Sequence, residues 1–167
     1  MRKPFAIIVA VGLTAALLAV PGTALGKATS TDYTAVETQL EGPDFGPADW
    51  TKPVVQVDFE SLFEDNATDP RASGLTYVSG KLTIKDVATF AGTMHGTSVT
   101  VVTGNGYEGT WVGRWHGKLL GNGASTYSAV AHGTGDLAGM KMFVEYDSAE
   151  ATNTTGRILD PHGGSLR

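Results

Sequence analysis

The chain has no cysteine in its 167 residues, which excludes disulfides, a thiol nucleophile, Cys-ligated zinc and a cysteine-linked lipid anchor. Lys and Arg form no cluster, so there is no basic patch for nucleic acid or an anionic membrane. No amphipathic helical stretch, internal repeat or long low-complexity linker interrupts it. Its longest apolar run, Phe5 to Val20, is sixteen residues, short of the roughly 20 that span a bilayer.

That run has the marks of a secretory signal peptide at residues 1–26. Arg2 and Lys3 supply a positive start, Pro21 and Gly22 end the apolar segment, and Ala24 and Gly26 suit cleavage before Lys27, with cleavage after Ala24 as the near alternative. A secreted or periplasmic location is the expectation. The remainder carries ten Lys plus Arg against seventeen Asp plus Glu, a net charge of about −7. Its length suits one domain with a sizeable core, held together by burial and strand pairing alone.

The richest stretch runs from Tyr107 to Tyr146. In an extended strand Gly109, Trp111, Gly113, Trp115 and Gly117 share one face, while Thr110, Val112, Arg114, His116 and Lys118 share the other. A helix would scatter that set and lose about 1 kcal/mol at each glycine. The hairpin before it admits two registers. A two-residue Asn105-Gly106 turn sets His95 opposite His116; a three-residue Gly104 to Gly106 loop sets His95 opposite Trp115 and brings Val99 and Val101 onto the tryptophan face. The second is favoured, because it gathers the apolar residues. At Gly121-Asn122-Gly123 the same logic sets Tyr127, Ala129 and Ala131 across from Gly117, Trp115 and Gly113.

Elsewhere, alternation predicts strands at Tyr33 to Leu40, Val54 to Glu60, Leu75 to Lys85, Thr89 to Thr103, from Gly139 onward, and near Thr155 to Leu159. The segment Glu41 to Pro47, with two prolines and two glycines, is expected to stop the first ladder. From Ser61 the chain is expected to leave the sheet, with Glu64 to Asp69 a solvated acidic turn. Lacking a calcium-loop spacing of ligands, that turn is not assigned a cation. The count is eight antiparallel strands, the number at which a closed barrel is just wide enough to be filled by side chains or to hold one small ligand. The barrel domain is placed at residues 27–160, with a polar tail at 161–167.

The tryptophan strand, the segment His132-Gly133-Thr134-Gly135-Asp136-Leu137-Ala138-Gly139, and Arg157-Ile158-Leu159-Asp160-Pro161 together resemble the allene oxide cyclase barrel and dirigent-like group, in particular exported bacterial members. The resemblance implies a calycin-like, eight-stranded antiparallel barrel, often a homo-oligomer, whose plant enzymes bind a small apolar or phenolic substrate inside the barrel without metal or cofactor. Position 132 is histidine where the dirigent motif tends to have glycine, and no acid or polar constellation of the cyclases is matched residue by residue. Only the fold is carried over.

Several motifs imitate chemistry. Gly104-Asn105-Gly106-Tyr107-Glu108-Gly109 spells a dinucleotide fingerprint, but that motif works by opening a helix onto the pyrophosphate, and here the turn leads into a strand. His95, His116, His132 and His162 do not converge; His132 and His116 lie roughly 13 Å apart along the sheet, so no metal is expected. No serine has a triad's His and Asp partners. Asn66-Ala67-Thr68 and Asn153-Thr154-Thr155 are glycosylation sequons.

Three function classes remain. A binding module for a small apolar molecule would surround it with Trp111, Trp115, Tyr127, Met140, Met142 and Tyr146. A cofactor-free cyclase, isomerase or dirigent-type enzyme needs, in addition, ionisable groups in that cavity with shifted proton affinities. A structural or interaction module would have a filled barrel and an exposed apolar patch. The non-catalytic binding module is preferred. The catalytic residues are left unassigned.

Overall fold

The computed structural model describes residues 27–102, 106–121, 123–148 and 153–163. The expected signal peptide at residues 1–26 lies outside the described residues, as do the centres of both glycine-asparagine turns and the last four residues of the tail.

Eight strands follow one another around a closed antiparallel barrel: β1 (Thr29–Phe45), β2 (Val55–Ala67), β3 (Gly74–Asp86), β4 (Ala91–Val102), β5 (Gly109–Gly121), β6 (Ala124–Gly133), β7 (Lys141–Asp147) and β8 (Thr154–Asp160). The all-β class and the strand count are those expected. Closure is made by β8 on β1, from Thr29 opposite Asp160 to Ala35 opposite Thr154, and it removes the free edges along which β proteins aggregate. Two single 3-10 turns, Pro70–Ala72 and Gly135–Leu137, are the helical content of the described residues. None is long and apolar enough to cross a membrane.

Three expectations are corrected. The first strand does not stop before Glu41: β1 runs to Phe45, pairing Asp44 with Glu60 and Phe45 with Phe59 past two register shifts. The bulge around Gly42 absorbs the proline that would break a regular ladder. The second strand does not end at Glu60 either. Ser61 to Ala67 stays in the sheet, with Glu64 opposite Leu75 and Asp65 opposite Gly74, so the acidic segment is ladder up to Ala67 and only Thr68 and Asp69 belong to the turn.

The third correction is the β4 to β5 register. His95 lies opposite His116, and Gly96 opposite Trp115, the alternative that was not favoured. The reason is steric. Gly80, Gly96 and Trp115 form one row across three strands, and a Cβ on Gly80 or Gly96 would come within 2.5 or 2.8 Å of Trp115 Cζ2. The indole therefore lies over two positions without side chains. Val99 is left on the outside beside Tyr77 and Val112. The β5 to β6 register is the expected one, with Tyr127, Ala129 and Ala131 opposite Gly117, Trp115 and Gly113.

The two ends of the barrel differ. At the end where β1 begins, Trp111, Leu137, Ile158, Val102 and Met140 make a buried cluster. The Gly135–Leu137 turn tucks Leu137 beneath it, and Asp136 Oδ2 accepts from the Glu108 N–H at 2.9 Å. The Gly133-Thr134-Gly135 segment is thus a turn that plugs the barrel and leads to a strand. Toward the other end, Val55, Val57, Leu82 and Ile84 form a smaller cluster on one side. Between the two clusters the interior is hollow.

Candidate functional site

The cavity has a volume of about 440 Å³, within the range of small-molecule sites. Its walls follow from strand alternation. On β1 the inward set is Tyr33, Ala35, Glu37 and Gln39; on β2 it continues from Val55, Val57 and Phe59 through Phe63 to Asp65. Thr76 and Val78 come from β3, Met94, Ser98 and Thr100 from β4, Trp115 from β5, and Tyr127, Met142 and Tyr146 from β6 and β7. Glu37 and Gln39 are exposed and stand where the cavity meets solvent.

Of the six residues expected to surround a ligand, Trp115, Tyr127, Met142 and Tyr146 line the cavity. Trp111 and Met140 do not; both belong to the sealed cluster at the end of the barrel. Trp111 is 1% exposed, and its indole N–H donates to the Arg71 carbonyl at 2.7 Å, which fixes it as a floor beneath the cavity. Met140 precedes β7 and packs into the same cluster. Trp115 meets Phe59 edge-on at 5.7 Å between ring centroids, and its indole N–H donates to the Thr97 carbonyl at 3.1 Å. Tyr127 and Tyr146 stack at 5.2 Å.

Sequence reasoning missed the polar half of the site. Glu37 and Asp65 sit directly opposite one another on β1 and β2, both facing inward. Two like charges across a strand pair destabilise a sheet, and among the described residues nothing cationic lines the cavity to offset them. Tyr127 Oη donates to Glu37 Oε1. Asp65 Oδ2 is 2.5 Å from Thr76 Oγ1, which is 2.6 Å from Thr100 Oγ1. Asp65 Oδ1 is shielded from solvent and has no hydrogen-bond partner, where a buried polar atom almost always has one.

The electrostatic consequence is large at Asp65. Burial pushes its carboxyl up to about 7, the Thr76 hydroxyl working against the rise and the negative charge of Glu37 adding to it. Burial, then the charges of Asp65, Glu37 and Asp69, raise Tyr33 above the usual phenol range. Burial, then the charge and hydrogen bond of Glu37, do the same for Tyr127. Both phenols are therefore hydrogen-bond donors at neutral pH. Asp65 is close to half protonated there, and the hydroxyl pair behind it can reverse its donor direction with either state.

The signal for these residues was in the sequence. Extending the Val55, Val57, Phe59 alternation by three further steps places Phe63 and Asp65 inward, and the same step from Tyr33 and Ala35 reaches Glu37.

Other groups are arranged differently. Asp69 and Asp160 flank Arg71, with Arg71 Nη2 2.6 Å from Asp69 Oδ2 and Nη1 3.6 Å from Asp160 Oδ2. On the outer wall His95 and His116 are cross-strand neighbours, as the observed register requires, and His116 Nε2 lies 3.3 Å from Ser128 Oγ. Among the described residues no group of three or more His, Asp or Glu is placed to hold a metal ion. Comparison with protein-family models, with curated proteins and with solved structures found no match for this chain.

Proposed function

We propose that this protein is an exported binding module that encloses one small, largely apolar molecule in its barrel and holds the molecule's single polar group against Asp65. The supporting observation is the cavity of about 440 Å³ with one shielded, unpartnered carboxyl oxygen in an otherwise mainly apolar and hydroxyl lining. An apolar wall gives affinity through burial, about 25 cal/mol per Å², and the lone polar atom gives orientation. The export half of the reading rests on the residues of the first 26 positions.

The test is a fluorescence titration with a neutral naphthalene alcohol, following quenching of Trp115 emission. Saturable one-to-one binding that is lost in Ala129→Phe, whose ring would occupy the space beside Trp115, supports the reading. Absence of saturable binding to the unmodified chain contradicts it.

A second reading, a cofactor-free isomerase or cyclase of the kind the allene oxide cyclase resemblance implies, is favoured by one feature. A carboxyl near 7 backed by two hydroxyls can give a proton to one atom of a substrate and take one from another, consuming nothing. Under that reading Asp65→Asn abolishes turnover while leaving affinity within a few fold. Under the binding reading no turnover accompanies binding in either form.

A further inference from the structure

We infer that the cavity selects a small organic cation, an ammonium group carried on an aryl or alkyl body, with Asp65 as its counter-ion. This rests on the pocket reading above and narrows it to a ligand class.

The first argument is the charge inventory. Among the described residues two carboxyls line the cavity, and no Lys, Arg or His does. An anionic ligand would be repelled twice, whereas a cation meets opposite charge at the mouth, from Glu37, and again inside, from Asp65. The second is hydrogen-bond satisfaction. Asp65 Oδ2 is engaged by Thr76, while Oδ1 accepts nothing. An ammonium carries three donors and no acceptor, so once a turn of the Asp65 side chain brings the shielded Oδ1 to the cavity it supplies the donor that atom lacks, in a charge-assisted bond about twice as strong as a neutral one.

The third argument is the wall. Trp115 packed against Phe59, and Tyr127 stacked on Tyr146, line the same cavity as the carboxyls, with Tyr127 bonded to Glu37, and the faces of such rings attract cations. A neutral alcohol would gain one ordinary hydrogen bond at Asp65 and nothing from the ring quadrupoles. The acids also explain each other: a like-charged pair across β1 and β2 is unfavourable in the empty barrel and becomes favourable when a positive charge lies near both.

The pH dependence follows from the groups around Asp65. Glu37 and Tyr33 face it from β1 and Tyr127 from β6, while β3 and β4 present only the hydroxyls of Thr76 and Thr100. The tyrosines stay neutral, so Asp65 sets the profile. Affinity for a cation should rise several fold from about pH 6 to about pH 8, as Asp65 gives up its proton, and affinity for a neutral isostere should not.

Isothermal titration calorimetry of the full chain with phenethylamine and with phenethyl alcohol, at both pH values, tests this; each compound is also required to displace the bound naphthalene alcohol. The expected result is an amine preference of at least tenfold at the higher pH, shrinking several fold at the lower. Asp65→Asn should abolish the preference, and an amine preference that survives in this variant overturns the inference. Glu37→Gln, at the exposed mouth, should reduce it without disturbing the fold. Equal binding of amine and alcohol by the unmodified chain overturns the cation inference and leaves the pocket reading standing. Amine binding that does not displace the naphthalene alcohol places the amine on the acidic surface and overturns the inference as well. If neither compound nor the naphthalene alcohol binds, both readings fall.

Discussion

Two sets of carboxyls inside this barrel have opposite fates. At the sealed end, Asp69 and Asp160 share Arg71, and the guanidinium is tied to Asp69 by two contacts, Nε to Oδ1 at 3.0 Å and Nη2 to Oδ2 at 2.6 Å. Burial alone would raise Asp69, but the hydrogen bonds and charge of Arg71 hold it below the usual carboxylate value. In the cavity, Glu37 and Asp65 face each other with no Lys, Arg or His among the described residues that line it, and burial wins at Asp65. A buried charge is tolerated when paired and shifts its proton affinity when it is not. The first set closes the barrel. The second carries a cost in the empty fold, and that cost is what supports the proposed binding role.

The largest effect should come from removing the shared cation. Arg71→Met removes the positive charge that Arg71 sets beside the buried Asp69 and Asp160 and should lower stability by about 3 to 5 kcal/mol, read from chemical denaturation near neutral pH. A loss under about 1 kcal/mol would make the sealed end no different from the cavity.

The next effect has the opposite sign. A carboxyl that holds its proton more tightly folded than unfolded takes up a proton on folding. Its contribution is complete below the unfolded value of 3.8 and disappears as pH rises through about 7. At about 1.4 kcal/mol for each tenfold change in proton affinity, the protein should lose up to roughly 4 kcal/mol across that window. Asp65→Asn should flatten the profile, and above about pH 8 it should be the more stable protein. A variant destabilised at all pH values would mean that Asp65 is structural.

A smaller effect separates wall from outer surface. A Cβ at Gly113 would stand 2.9 Å from the Ala131 Cβ and 3.2 Å from Ser98 Oγ, so Gly113→Leu overpacks and should cost about 1 to 3 kcal/mol. Val112, 49% exposed on the outer face, should tolerate threonine within about 0.5 kcal/mol. Thermal unfolding of the two variants gives the ranking, and the reverse ranking would place the indoles outside.

The fold was legible where alternation is unbroken. From Trp111 to Ala131 the alternation placed the faces, the partners across β5 and β6 and the glycine-rich wall correctly, because bulky and absent side chains alternate there and only one phase buries the indoles. It failed where local chemistry imitates a boundary. Pro43 and Gly42 looked like the end of a strand and are a bulge; Glu64 and Asp65 looked like a solvated turn and are ladder. The second failure hid the inward Asp65, because composition was read ahead of phase; Glu37 lay within the expected first strand, on the face of Tyr33 and Ala35, and was not assigned. The β4 register failed for a different reason. Gathering valines beside the tryptophans favours one pairing locally, but the indole of Trp115 needs Gly80 and Gly96 in its row, and Gly80 lies on a strand that the hairpin argument did not include.

The most direct measurement is the titration of the Asp65 side-chain carboxyl followed by carbon-13 NMR, with and without phenethylamine. The unpaired-carboxyl account predicts a midpoint near 7 in the free protein, displaced to lower pH when the amine is bound. A midpoint near the ordinary aspartate value of 3.8, unmoved by the amine, would contradict it.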